Sequence, residues 1–482
     1  MSKPIIAGRD QAVVGPTDLS RSVRWVLAGL ALCTLVSSLG TSIVNIALPT
    51  LAEAFTASFQ EVQWIVLAYL LASTALIVSV GRLGDLRGRR QLLLAGIFLF
   101  TGASVLCGVA PTLWLLIGAR AAQGIGAAVM MALALAFVGD TVSKEKTGSA
   151  MGLLGTTSAI GTALGPSLGG FLISALGWPA IFLVNVPLGF LAFILAYRYL
   201  PVDRQGRWVE RPGFDGAGAL LLALTLAAYA LATTAGRGNF DALNLALLAA
   251  AGVGVGLFGF VERRAVFPLI PMAMFRDRVL GTGLLMSTLV STVLMATLVV
   301  GPFYLTRALG LGAASVGLVV SIGPVVVALT GVPAGRIADR LGTQRMTIAG
   351  LSGIAAGTFA LSLIPATFGI PGYIVPLVVI TAGYALFQTA NNTAIMTNLP
   401  PDQRGVVSGM LNLSRSLGLI TGASVMAAVF ASASGTSDIT TAPPAAIAAG
   451  MRITFGVATT IIIVALATAA ASRFRATGCI AE

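Results

Sequence analysis

The sequence predicts an all-α transmembrane protein of fourteen helices, arranged as two six-helix halves with a helix pair inserted between them. Three observations carry that expectation: a composition too poor in charge for a water-facing surface, a succession of long apolar runs, and one short motif that occurs twice. Of the 482 residues, 57% are hydrophobic and 10% charged, against roughly 25% charged in soluble domains. The apolar runs are about twenty residues long, the length that spans a hydrocarbon core of roughly 30 Å as a helix. Inside lipid every backbone N–H and C=O needs an internal partner, which leaves helices or a closed barrel. The runs are continuous rather than alternating, so helices are favoured over barrel strands.

Between charged or turn-forming breaks, the runs place helices at 24–45, 62–80, 91–110, 112–139, 149–174 and 180–199, then at 213–234 and 243–261. Six more follow at 279–301, 314–334, 346–364, 372–396, 405–431 and 451–471. The first run follows Lys3, Arg9, Arg21 and Arg24, as in a secretory leader, but its length and the lack of a small-residue cleavage site argue for a retained helix. With the amino terminus inside, 24 of the 29 Lys and Arg residues fall on the cytoplasmic side, three outside (Arg237, Arg307, Arg452) and two within helices (Arg120, Arg415). Cytoplasmic loops retain positive charge, so this bias supports fourteen crossings with both termini cytoplasmic.

The motif Gly81-Arg82-Leu83-Gly84-Asp85-Leu86-Arg87-Gly88 after the second helix recurs as Gly335-Arg336-Ile337-Ala338-Asp339-Arg340-Leu341-Gly342 after the tenth, 254 residues later. Each copy sits between the second and third helix of a six-helix set, the mark of parallel repeats. The expected units are therefore 1–200, a linker with two extra helices at 201–275, and 276–482.

Other chemistries are poorly served by this composition. Histidine is absent, which removes a histidine proton relay and a histidine metal site. Cys33, Cys107 and Cys479 show no pairing pattern and read as small apolar residues. The net charge of +12 lies in short loops between apolar runs, so membrane topology explains it better than nucleic acid does. No nucleotide-binding loop or nucleophile constellation points to an enzyme. No cofactor or metal is expected.

In the segment from Gly81 to Arg90, Asp85 stands among Arg82, Arg87, Arg89 and Arg90 between two helices. One reading is a solvated positive loop. The other is a charged latch built from Gly81, Arg82, Asp85, Gly88 and Arg89, with Asp339 in the second copy, holding one state of a two-state machine. The repetition of Gly-Arg-x-x-Asp-x-x-Gly favours the latch.

At these residues the chain resembles the major facilitator superfamily, specifically its fourteen-helix drug:proton antiporter branch. The motif at Gly81–Gly88 resembles that superfamily's signature between helices two and three. The run Arg120-Ala121-Ala122-Gln123-Gly124-Ile125-Gly126-Ala127 resembles its arginine motif, and Gly161-Thr162-Ala163-Leu164-Gly165-Pro166-Ser167-Leu168-Gly169-Gly170 the motif associated with exporters. Further similarity lies in Ile43-Val44-Asn45-Ile46-Ala47-Leu48-Pro49, in Gln63-Trp64 with Tyr69, and in Phe182-Leu183-Val184-Asn185-Val186-Pro187. The likeness covers nearly the whole chain. It implies the major facilitator fold and export of a drug or natural product from the bacterial cytoplasm in exchange for protons.

Arg120 lies eight residues beyond Thr112, or about 12 Å along the helix. A charge inside the bilayer costs at least about 2.5–3.5 kcal/mol and persists where it faces a partner or cavity, although snorkelling to an interface is the plain alternative. The resemblance implies a part in proton relay, with Gln123 one turn away. Gly161, Gly165 and Gly169 at i, i+4 and i+8 form a smooth stripe for close helix packing, and Pro166 interrupts the ladder. By resemblance, these residues with Gly170 act as hinge and seal.

Amides and a second intramembrane cation offer a substrate lining: Asn45, Gln123, Asn185, Gln388, Asn391, Asn392, Asn412 and Arg415. Such amides either face a midplane site or bond to neighbouring helices. Relatives that export cations carry an aspartate in the first helix where this chain has Gly40. None of the 17 acidic residues falls in mid-membrane, so a neutral or anionic substrate is expected. The coupling carboxylate is then sought at Asp140, Asp85 or Glu53. A symporter or uniporter of the same fold and a non-transporting membrane sensor or scaffold are the alternatives. The expected partners are a small organic substrate, protons and lipid, with the chain monomeric and a periplasmic adaptor as a further partner.

Overall fold

The computed structural model describes residues 16–141, 144–201, 216–234, 241–265, 274, 277–396, 404–435 and 442–478, and among these there is no β-strand. The first six crossings are α1 (Pro16–Ala54), α2 (Phe59–Arg87), α3 (Arg89–Gly108), α4 (Leu113–Thr141), α5 (Lys144–Leu176) and α6 (Ala180–Tyr199). The inserted pair is α7 (Gly216–Thr234) and α8 (Ala242–Arg264). The second set is α9 (Arg278–Ala308), α10 (Ala313–Leu341), α11 (Thr343–Leu363), α12 (Gly369–Met396), α13 (404–433) and α14 (Pro444–Gly478). Thirteen of these described helices are long and apolar enough to cross a membrane, and α7 supplies a shorter apolar one.

Local chemistry sets the ends and irregularities. Ser58 caps α2: its hydroxyl accepts from the backbone N–H of Glu61, whose carboxylate accepts from the Ser58 backbone, a reciprocal capping box. In α6 the helix is interrupted at Val184, where Pro187 cannot donate to the carbonyl four residues back. Pro302 has the same defect, and α9 continues past it as a single π turn, Tyr304–Ala308.

The segment Gly81–Arg90, expected as a loop, is largely helical. Gly81–Arg87 forms the last turns of α2, and the chain reverses on Gly88 alone, whose φ is 95°. The second copy behaves identically: α10 runs to Leu341 and Gly342 turns at φ 80°. Only glycine adopts that conformation without strain, so the last glycine of each motif copy makes the turn. The helices also exceed the apolar runs at their ends, most of all α1 and α14, because polar residues beyond the lipid extend a helix that hydropathy alone cannot see.

Helix packing repeats between the sets. In the first, α1 packs on α5 and α6, α2 and α3 on α4, and α3 on α6; in the second, α9 packs on α13 and α14, α10 and α11 on α12, and α11 on α14. Glycines make close approaches at matching places in both: Gly96 against Gly126 between α3 and α4, and Gly350 against Gly383 between α11 and α12. The halves meet along α5–α10 and α2–α13. The inserted pair lies over the second seam. α7 packs on α2 and on a π turn of α13, Gly422–Met426, the Tyr229 hydroxyl donates to Thr421 Oγ1 at 3.1 Å, and Leu222 and Leu226 join Leu411 and Leu413 in one apolar cluster.

Candidate functional site

Arg120 on α4 is fully buried and does not snorkel. Its Nε donates to the Ile65 carbonyl of α2 at 3.0 Å, and its Nη1 donates to the Gly40 carbonyl of α1 at 3.0 Å and to Gln123 Oε1. The guanidinium carbon lies 4.3 Å from the centre of the Tyr69 ring, a cation–π contact strengthened by desolvation. Gln123 Nε2 donates to Ser104 Oγ of α3 at 2.7 Å, and the Tyr69 hydroxyl donates to the Ser37 carbonyl at 3.0 Å. One cation therefore ties α1, α2, α3 and α4 together. Its Nη2 finds no hydrogen-bond partner, and no ion pair to it occurs among the described residues. Gly40 contributes its carbonyl; a side chain there would point at Phe100 and toward the Tyr69 hydroxyl.

The glycine stripe of α5 works on two faces. A Cβ at Gly161, Gly165 or Gly169 would strike α1 at Leu35, at Ser42 and Ile43, and at Ile43 and Ile46. The contact is held by Ser38–Ser158 at 2.6 Å, Thr34–Thr157 at 2.9 Å and Ser42 Oγ to the Gly161 carbonyl at 3.3 Å. The other face, with Pro166 and Gly170, meets Gly317 and Ala313 of α10 across the seam between the halves. Sequence reasoning overlooked the matching surface of α13, where Gly418 and Gly422 press on Thr288 and Thr292 of α9. Their four-residue spacing, the same as in α5, was the available signal.

Between the halves lies a cavity of about 480 Å³ lined by α1, α2, α4 and α5 on one side and α9, α10, α12 and α13 on the other. Of the eight expected lining residues, Asn45, Gln388, Asn412 and Arg415 face it. The others do not. Gln123 belongs to the Arg120 network, Asn185 bonds to the Ile181 and Phe182 carbonyls of its own helix, and Asn391 donates to the Gly283 carbonyl of α9 at 3.2 Å. Asn392 is partly exposed but does not line the cavity. Tyr69 stands in the wall, so Arg120 is separated from the cavity by the ring it stacks on.

One end of this cavity is closed by contacts between the halves. Gly170 meets Ala313, and the Phe59 ring packs edge-on to Phe303 at 4.6 Å and to Phe430 at 5.7 Å. Glu53 at the end of α1 pairs with Arg307 at the end of α9 at 2.6 Å, with side chains 60% and 28% exposed. Glu53 is thus at the rim, away from the cavity lining, and Arg307 is a partner that charge counting alone placed in a loop. Gly88 and Arg89 lie at the opposite end, where a Cβ on neighbouring Gly84 would meet Leu133 and Arg89. The side chains of Arg82, Asp85, Asp140 and Asp339 lie outside the described residues, and of Gly81 only the helical backbone is described.

Two like halves closing on a central, mostly apolar cavity with a few polar groups form the architecture of a polytopic transporter of small solutes. The chain belongs to the major facilitator superfamily, whose sequence pattern, described as Major Facilitator Superfamily, matches residues 30–423. It is 30% identical over 412 residues to the riboflavin transporter RibZ of Clostridioides difficile (strain 630), covering 85% of this chain and 88% of that one. It is 32% identical over 401 residues to multidrug resistance protein Stp of Mycobacterium tuberculosis (strain ATCC 25618 / H37Rv), covering 81% and 72%. Among solved structures, a bacterial homolog of the human lysosomal transporter Spinster, inward-facing and unoccupied, superposes with a TM-score of 0.69 at 15% identity, covering 93% of this chain and 96% of that one.

Proposed function

We propose that this transporter is a secondary active exporter of small organic molecules, working by alternating access and proton antiport in a bacterial cytoplasmic membrane. The observation that carries the reading is the cavity shared by both halves and shut at one end by Gly170–Ala313, the Phe59 cluster and Glu53–Arg307. The positive-charge bias supports a reading with that end outside and both termini inside. The outer end is then the closed one, as in the state in which an exporter loads from the cytoplasm. The names of relatives agree in part, since Stp is a multidrug resistance protein. The repeated helix pairings support 1–200 and 276–482 as the moving units, with 201–275 as the inserted linker pair.

No Asp or Glu is among the described residues lining the cavity. The proton is therefore assigned to Asp85 or Asp140 at the cytoplasmic helix ends or to Glu53 at the rim, and Arg120 is assigned a positioning role beside Tyr69. A symporter or uniporter is the second reading, favoured by that acid-free lining and by the relative named a riboflavin transporter without a stated direction. Purified protein in proteoliposomes with an imposed pH gradient separates the readings. Antiport drives substrate against the proton flow and releases the gradient on substrate addition. Uptake with the protons, or transport indifferent to the gradient, would replace it with the second reading, and absent counterflow would leave a non-transporting membrane protein.

A further inference from the structure

Four polar candidates face the cavity, and they differ in how far their hydrogen bonds are already used. Asn45 donates its amide to the Thr41 and Ser42 carbonyls of its own helix at 3.4 Å. Gln388 on α12, and Asn412 and Arg415 on α13, have no hydrogen-bond or ion-pair partner among the described residues. Asn412 and Arg415 are three residues apart, so they share one helix face, and that face is turned to the cavity. A guanidinium in a low-dielectric cleft presents five donors and no acceptor, and amides beside it add further donors. Among the described residues the lining includes no Asp or Glu, and Arg415 is the charged side chain among them. Behind the wall, Arg120 adds a second cation without a carboxylate among the described residues.

The rest of the lining is mostly apolar or hydroxyl-bearing, with the aromatic faces of Tyr69, Tyr373 and Tyr384. A ligand completing this site needs a flat apolar body and an oxyanion that accepts from Arg415 in the bidentate manner typical of carboxylates. The same field opposes a lipophilic cation.

We infer that the cavity binds amphipathic aromatic anions, carboxylates or phenolates, with Arg415 as their anchor and Gln388 and Asn412 as flanking donors. The inference rests on reading this cavity as the substrate site of a transporter. It concerns the charge of the cargo, whereas the exporter reading concerns its direction.

The test uses the full chain in detergent and in proteoliposomes, with fluorescein as the anionic probe and ethidium as the cationic one. Equilibrium binding by fluorescence anisotropy is expected to show saturable fluorescein binding and no saturable ethidium binding. Arg415→Gln is expected to weaken fluorescein binding at least tenfold. Arg415→Lys should recover part of it, since charge is kept and the bidentate fork is lost. Arg415→Glu should reverse the preference toward ethidium. Thermal melting of each variant reports whether it folds, and the wild-type comparison of the two probes needs no variant. Saturable ethidium binding by the wild type without fluorescein binding would overturn the inference, as would an unchanged fluorescein affinity in folded Arg415→Gln. Fluorescein binding that is saturable and Arg415-dependent, but accompanied by no transport in either direction, would uphold the anion site and refute the exporter reading.

Discussion

A single methyl group at Gly170 tests whether the seam between α5 and α10 is a working contact. A Cβ built there lies 2.5 Å from the Ala313 carbonyl oxygen and 3.1 Å from the Gly317 Cα, about 0.9 and 0.3 Å inside the 3.4 Å at which ordinary contact begins. Both obstacles are backbone, so neither can swing aside, and relief requires the helix ends to part. Overpacking of this kind costs about 1–3 kcal/mol. The strain exists only while the ends touch, so Gly170→Ala is expected to shift the balance toward the state with that end open by about 5- to 150-fold. Spin labels at Leu176→Cys and Gly312→Cys, with Cys479→Ser, would report the separation; Cys33 and Cys107 are buried and stay unlabelled. Gly118→Ala is the matched control, because nothing lies within 4 Å of a Cβ at that position. The expected result is a longer-distance population in Gly170→Ala and none in the control. Coincident distance distributions for the two variants would refute the reasoning.

Three further outcomes follow from the same geometry. Arg120→Lys is expected to lower the melting temperature clearly, because one ammonium cannot reach the Ile65 and Gly40 carbonyls and Gln123 Oε1 together, and each charge-assisted hydrogen bond lost costs about 1.5–3 kcal/mol; a melt matching the wild type would contradict the hub role. The Glu53 side of the Glu53–Arg307 pair is mostly exposed, so a double-mutant cycle with Glu53→Gln and Arg307→Gln should give a coupling of about 0.2–1 kcal/mol that fades with salt. A salt-insensitive coupling above about 2 kcal/mol would show that the rim is drier than its exposure indicates. For an anionic cargo, an inside-negative potential of about 100 mV supplies about 2.3 kcal/mol per charge, or roughly fifty-fold in accumulation ratio. Valinomycin-imposed potentials in proteoliposomes check this, and export indifferent to potential would count against net negative cargo.

Much of this protein was determined by the chain itself. Lipid length and the positive-charge bias define fourteen crossings, since an apolar run of about twenty residues has only the helix available to it in hydrocarbon. The repeated Gly-Arg-x-x-Asp-x-x-Gly marked two like halves, and the four-residue glycine spacing of α5 marked a close helix contact. What remained open was the direction of side chains around each helix and the partner that each would meet. Asn391 and Gln388 lie on one helix three residues apart, yet one bonds to α9 and the other faces the cavity. Arg120 and Arg415 both read as intramembrane cations; tertiary packing stacked the first beneath Tyr69 and left the second lining the cavity. Glu53 and Arg307, far apart in sequence, were joined only by the closure of one half on the other. Hydropathy is a one-dimensional sum that fixes where a helix crosses, whereas rotation and pairing depend on contacts between distant helices, and those contacts decide which polar groups are spent on the fold and which are left for a ligand.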